Sequence, residues 1–146
     1  MVNGHWSMDE VQPKIKPLNK VATFEDLEVW QTARQVRKQL YQVVEQLPDE
    51  ERYNLASQMR RAAVSLTANI AEGYGRYHFK ENIQCCRIAR GSAYELIDHL
   101  ITCQDQCHVP TERVMELRVA LFSVIRLLNG YIRSIAAHAK KADDKA

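Results

Sequence analysis

Apolar positions along the chain recur at alternating steps of three and four, the repeat of helices packed lengthwise on one another. In the first such stretch Val29, Ala33, Val36, Leu40, Val43 and Leu47 form the stripe, and Leu27, Trp30, Tyr41 and Val44 widen it. So wide a face suits a multi-helix bundle, with room outside it for a contact between subunits. The helix is expected to begin near Thr23 or Asp26, with Thr23 as N-cap, and to stop at Pro48. Asp49-Glu50-Glu51 reads as the acidic first turn of a second helix reaching Tyr74. Its stripe is Ala56, Met59, Ala63, Leu66 and Ile70, and Gly73 and Gly75 supply the left-handed or open backbone that ends it. A third helix over about Phe79–Cys107 carries Cys86, Ala89, Ala93, Leu96, Leu100, Cys103 and Cys107 on one face. Pro110 and an N-capping Thr111 open a fourth, with Val114, Leu117, Leu121, Val124, Leu128, Tyr131 and Ile135, fraying from Lys140.

No segment sustains the period-two alternation of a strand. Four long helices on short connections predict an all-α, antiparallel up-down-up-down four-helix bundle over residues 23–140. An N-terminal arm, residues 1–22, and a tail, residues 141–146, flank it. The 146 residues fit one domain with one core. Met1–Lys20 lacks the apolar centre of a secretion signal and reads as a disordered or loosely docked arm. No run of about 18 apolar residues marks a membrane span, so a cytoplasmic location with no membrane partner is expected.

Beside the core stripe of the second helix runs a polar one, Gln58, Arg61, Ser65, Asn69, Glu72 and Arg76. Hydrogen-bonding residues bordering a core are placed to fix register between helices or between subunits. Glu72 and Arg76, four apart, are expected to pair. Catalytic chemistry finds no purchase. The serines are helical without a nucleophile elbow, Gly73-x-Gly75 is too short for a dinucleotide fingerprint, and no Glu-x-x-His occurs for a di-iron site. Cys85, Cys86, Cys103 and Cys107 form no Cys-x-x-Cys pair and read as packing residues. The reading assigns no catalytic residue, no metal and no cofactor.

Charge changes the picture more. The net charge is +2, but Arg52 to Arg90 holds seven cations and two anions. Within Phe24–Lys140 twelve arginines accompany three lysines, and arginine's planar fork suits phosphate and carboxylate. Arg60, Arg61, Arg76, Lys80, Arg87 and Arg90 are the candidate nucleic-acid contacts, with Tyr74, Tyr77 and His78 as rings beside them and Tyr74 expected to pack the turn. No base-reading motif is visible, so RNA or DNA would be held by its phosphates.

Several blocks carry a resemblance. Phe24-x-x-Leu27-x-Val29-Trp30-Gln31-x-Ala33, Leu47-Pro48, Gln58-x-Arg60-Arg61-Ala62-Ala63-Val64-Ser65, Asn69-Ile70-Ala71-Glu72-Gly73-Tyr74-Gly75-Arg76 and Ile88-Ala89-Arg90-Gly91-Ser92-x-x-Glu95-Leu96 are similar to the 23S rRNA intervening-sequence proteins, the bacterial four helix bundle protein family. The likeness spans about Phe24 to Ile135. It departs from the usual pattern at Leu66-Thr67-Ala68, where an Ile-Pro segment is common, and in the long arm. The resemblance implies a ring-like homopentamer. The family is also similar to the accessory variability proteins of diversity-generating retroelements, which implies a reverse transcriptase as an alternative partner. The leading expectation is a non-enzymatic, homo-oligomeric bundle that binds nucleic acid by arginine–phosphate contacts. The alternative is a protein-interaction adaptor, such as a reverse-transcriptase accessory subunit.

Overall fold

The computed structural model describes residues 21–146, and most of the expected arm lies outside the described residues. Four helices carry the fold: α1 (Glu28–Glu45), α2 (Leu55–Gly75), α3 (Phe79–Asp105) and α4 (Thr111–Asp143). Packing follows the order α1–α2–α3–α4 and closes back from α4 onto α1. That is the antiparallel four-helix bundle its periodicity predicts. Among the described residues there is no strand.

The stripes read from the sequence are the core. Ala33, Leu40, Met59, Leu66, Ile70, Cys86, Leu96, Leu100, Leu117, Leu121 and Leu128 are fully buried. Burying each large aliphatic side chain contributes about 1.5–3 kcal/mol. Among the described residues, only α4 resembles a membrane span by length and apolar content. Its Val114, Leu117, Leu121, Val124, Ile125 and Leu128 instead face the other three helices.

Helix ends depart from expectation in several places. Phe24–Asp26 is a separate 3-10 turn, and the Asp26 carboxylate accepts from the Ala22 and Thr23 N–H groups. Asp49–Glu51 is likewise a 3-10 turn and not the first turn of α2. From there Glu51 accepts from the Leu55 N–H at 3.3 Å and from Asn54 Nδ2 at 3.2 Å, capping α2 from outside. Cys107, expected on the α3 stripe, is exposed beyond the helix at φ 56°. Its N–H bonds the Gln104 carbonyl and the His108 N–H bonds the Cys103 carbonyl, a Schellman closure made without glycine. Thr111 is the first residue of α4, with Pro110 in the cap position, and the helix continues past Lys140.

The glycines at the end of α2 do not act as expected. Among the described residues no glycine has positive φ; Tyr77 takes the left-handed conformation instead, at φ 55°. Gly73 is buried inside α2 and serves a close approach: a Cβ there would lie 2.8 Å from Cys85 Cβ and 2.7 Å from Asn82 Oδ1. The polar stripe works at the same seam. Ser92 Oγ donates to Ser65 Oγ at 2.9 Å, and Asn69 Nδ2 donates to Ser65 Oγ at 3.0 Å. Asn82 continues it to α4, donating to Tyr131 Oη at 3.2 Å. On the other flank Arg37 of α1 donates to buried Thr67 Oγ1 at 2.6 Å, a bond that a proline at that position could not accept through its side chain.

Gly73→Ala is therefore expected to lower stability by about 1–3 kcal/mol in urea unfolding. Gly91→Ala, on α3 where an added Cβ meets nothing within 4 Å, is expected to raise it by roughly 0.5–1 kcal/mol. Equal effects of the two substitutions would contradict the close-approach account.

Candidate nucleic-acid interface

The six predicted cations do not share one patch. Arg61 lies on the α3 side of α2, where Nη2 sits 2.8 Å from Glu95 Oε1 and 2.7 Å from Gln58 Oε1. Arg76 pairs with Glu72 at 2.8 Å, as its spacing predicts, and with Glu81 at 4.0 Å. The Glu72 hydrogen bond, then the Glu72 and Glu81 charges, hold its guanidinium above its ordinary pKa. Arg60 is about 100° around α2 from Arg61, on the flank where Thr67 meets Arg37 of α1. Two of the six are thus tied to carboxylates, and a third faces away.

Arg87 and Arg90 turn the other way, toward α4. Arg90 Nη1 donates to Asn129 Oδ1 at 2.8 Å, and Tyr94, one turn on, meets Phe122 edge to face with centroids 6.3 Å apart. Arg87 is three residues from Arg90 and seven from Tyr94, so it shares their side of α3. On α4 the neighbours of this seam are Arg126, three residues before Asn129, and Arg133, four after it. Both are exposed, and the Arg133 guanidinium lies 3.8 Å from where a Gly130 Cβ would stand. Lys80, seven residues before Arg87, extends the same line toward the α2–α3 turn. Among the described residues, Lys80, Arg87, Arg90, Arg126 and Arg133 have no ion pair.

Among the described residues, the arginine-bearing part of this seam carries no acid, for a reason visible in chain order. Between Glu81 and Glu95 α3 has no carboxylate, and both of those turn toward α2 to meet Arg76 and Arg61. Between Glu116 and Asp143 α4 has none at all. Arg126 and Arg133 lie outside the candidate set read from the sequence, which ends at Arg90. The signal was present in that acid-free stretch and the seven-residue spacing of the two arginines.

The remaining expectations settle simply. Tyr74 packs against the core, while Tyr77 is 90% exposed. Unpartnered apolar surface was expected beside α1, but the large apolar side chains there are buried or half-buried. Among the exposed ones, Tyr94, Ile101, Met115, Val119 and Phe122 lie along α3 and α4, while Val64 on α2 and Phe79 and Ile88 on α3 stand apart from them.

The family model of the 23S rRNA-intervening sequence protein matches residues 25–130, well over half of the chain. The chain belongs to that family. No curated protein matches it. The family's region takes in α1, α2, α3 and the Arg126 half of the basic face, and it ends before Arg133. Within the intervening-sequence fold, among the described residues, no three His, Cys, Asp or Glu side chains gather closely enough to hold a metal.

Three of the four thiols are buried in it. Burial pushes Cys86 up to about 12 from an ordinary 9.0, with Cys85 adding to the rise, and burial pushes Cys103 up to about 11, with Glu51 adding. Cys86 Sγ donates to Asn82 Oδ1 at 3.6 Å. A folded thiol that holds its proton beyond the unfolded pKa leaves the unfolded chain binding fewer protons, so stability falls as pH rises above the ordinary value. Unfolding free energy is expected to drop from about pH 9 upward, by up to roughly 1.4 kcal/mol per pH unit for each of the two thiols. Cys86→Ala should flatten the slope. In the native protein a thiol reagent at mild pH should modify Cys107 at once, and Cys86 and Cys103 only after denaturation.

Proposed function

We propose that this intervening-sequence protein is a non-enzymatic, cytoplasmic nucleic-acid-binding bundle that takes phosphates on the α3–α4 face through Arg87, Arg90, Arg126 and Arg133. The observation that carries the reading is that, among the described residues, these guanidiniums have no ion pair, and that residues 82–94 of α3 and 117–142 of α4 carry no carboxylate. Exposed arginines that already hold an acid gain little from a phosphate, because the acid must first be released. Those without a partner gain a charge-assisted bond and displace counterions from the nucleic acid. The family's description ties its members to intervening sequences of 23S rRNA, which makes structured RNA the ligand to try first.

Assembly belongs to the same proposal. Five large apolar side chains, Tyr94, Ile101, Met115, Val119 and Phe122, are between 36% and 65% exposed along the α3–α4 seam, at the end away from the arginines. We place the contact between copies of this chain there, in the ring-like homopentamer that the resemblance implies. Each added copy repeats the basic half, so weak phosphate contacts sum through avidity. A reverse transcriptase that docked on the same stripe would make the chain an adaptor, the alternative reading.

Arg126→Gln/Arg133→Gln is expected to weaken RNA binding by tenfold or more at low ionic strength, and to lower the slope of log affinity against log salt by about 2. Arg60→Gln should leave both unchanged. Equal binding by wild type and the double variant would remove the α3–α4 face from the reading. For assembly, Val119→Glu/Phe122→Glu should sediment as a folded monomer; an unaltered oligomer would place the subunit contact elsewhere.

A further inference from the structure

Two tyrosines stand almost clear of the bundle, Tyr53 at 87% exposure and Tyr77 at 90%. Tyr53 already has a partner: the Arg52 guanidinium sits 5.5 Å from its ring centroid. Tyr77 is differently placed. Among the described residues its one ring neighbour is half-buried Tyr74, tilted at 53° with centroids 6.4 Å apart, and no ring is stacked on it. The backbone beneath it is left-handed, which is costly for a bulky side chain and free for glycine. Gly75, two residues earlier, has no positive φ and open space where a Cβ would be. The strained position holds the large ring, and the glycine sits where none is required. Folding alone would be served better by glycine at position 77, since the ring buries almost nothing.

Strain retained at an exposed side chain points to a role outside the fold. The surroundings indicate which. Lys80, without an ion pair among the described residues, follows Tyr77 by three residues, and Arg87 continues the line along α3 onto the basic face. A free aromatic ring at the end of a track of cations is how single strands are held, with a base on the ring and phosphates on the cations. A duplex keeps its bases stacked inside and cannot offer one. We infer that Tyr77 stacks an unpaired base of a single-stranded nucleic acid whose phosphates run past Lys80 and Arg87. The inference rests on the phosphate-binding reading and narrows it to strands, loops or ends with unpaired bases.

The test uses the full chain, with a labelled single-stranded RNA of mixed sequence, the DNA of the same sequence, and an RNA duplex of equal length. Tyr77→Gly removes the ring and relieves the left-handed strain, so it should unfold at the same temperature as wild type or higher. It should bind the single strands about fivefold to a hundredfold more weakly, the loss expected for one stacked base, with duplex affinity and salt slope unchanged. Tyr77→Trp should restore single-strand binding and show quenching by the strand beyond that of wild type. Wild type and Tyr77→Gly binding single strands equally, while both bind duplex, would overturn the stack, leave the phosphate reading standing and turn the ring toward a protein partner. Equal losses on single strand and duplex would overturn it too, by making Tyr77 a general contact. A wild type that binds none of the three would bring down both readings.

Discussion

The close approach of α2 and α3 governs this molecule. Gly73 lets the two backbones meet beside Cys85 and Asn82, where no side chain larger than hydrogen fits. Further along the seam, Ser65 and Ser92 share a hydrogen bond of 2.9 Å, and Ala62, Ala63, Ala89 and Ala93 are buried. Small side chains bring helices near; the serine pair then selects one register, since sliding it would leave buried hydroxyls without partners. Once that register is set, Arg61 must meet Glu95 and the α2–α3 turn must close over Arg76 and Glu72.

The same seam sorts the charges. Carboxylates of α3 at Glu81 and Glu95 meet Arg76 and Arg61, and the stretch of α3 between them, with Arg87 and Arg90, carries no acid. There α3 meets an α4 that carries no carboxylate from Glu116 to Asp143. A chain of net charge +2 thereby gains one face where Arg87, Arg90, Arg126 and Arg133 have no ion pair among the described residues. Net charge was a weak guide because opposite charges are segregated by helix face, and a phosphate responds to the local field of one face.

Apolar surface is partitioned by the same rotation of α3. Trp30 and Tyr41 on α1 are covered within the chain, Trp30 with help from Phe24, whose ring centroid lies 5.1 Å away. Five of the uncovered apolar groups, Tyr94, Ile101, Met115, Val119 and Phe122, fall instead along α3 and α4 beyond the arginines. Basic and apolar regions therefore occupy successive parts of one seam, so a subunit contact and a nucleic-acid contact need not compete for the same residues.

Much of the fold was legible in the sequence because core positions obey a period that the helix itself imposes. The stripes at Val29 to Val43, Ala56 to Ile70, Cys86 to Cys103 and Val114 to Leu128 needed only the angle of 100° per residue to be read. The Glu72–Arg76 pair was equally local. What the sequence could not decide were contacts across long separations. Whether Arg61 is free depends on Glu95, 34 residues away, and the side of α3 that carries Arg87 depends on where α2 and α4 press against it. Left-handed backbone at Tyr77 and Cys107 follows from how the turns must close, overriding the preference for glycine. Periodicity determined which residues are inside; the packing angle between helices decided which of the outer residues face one another.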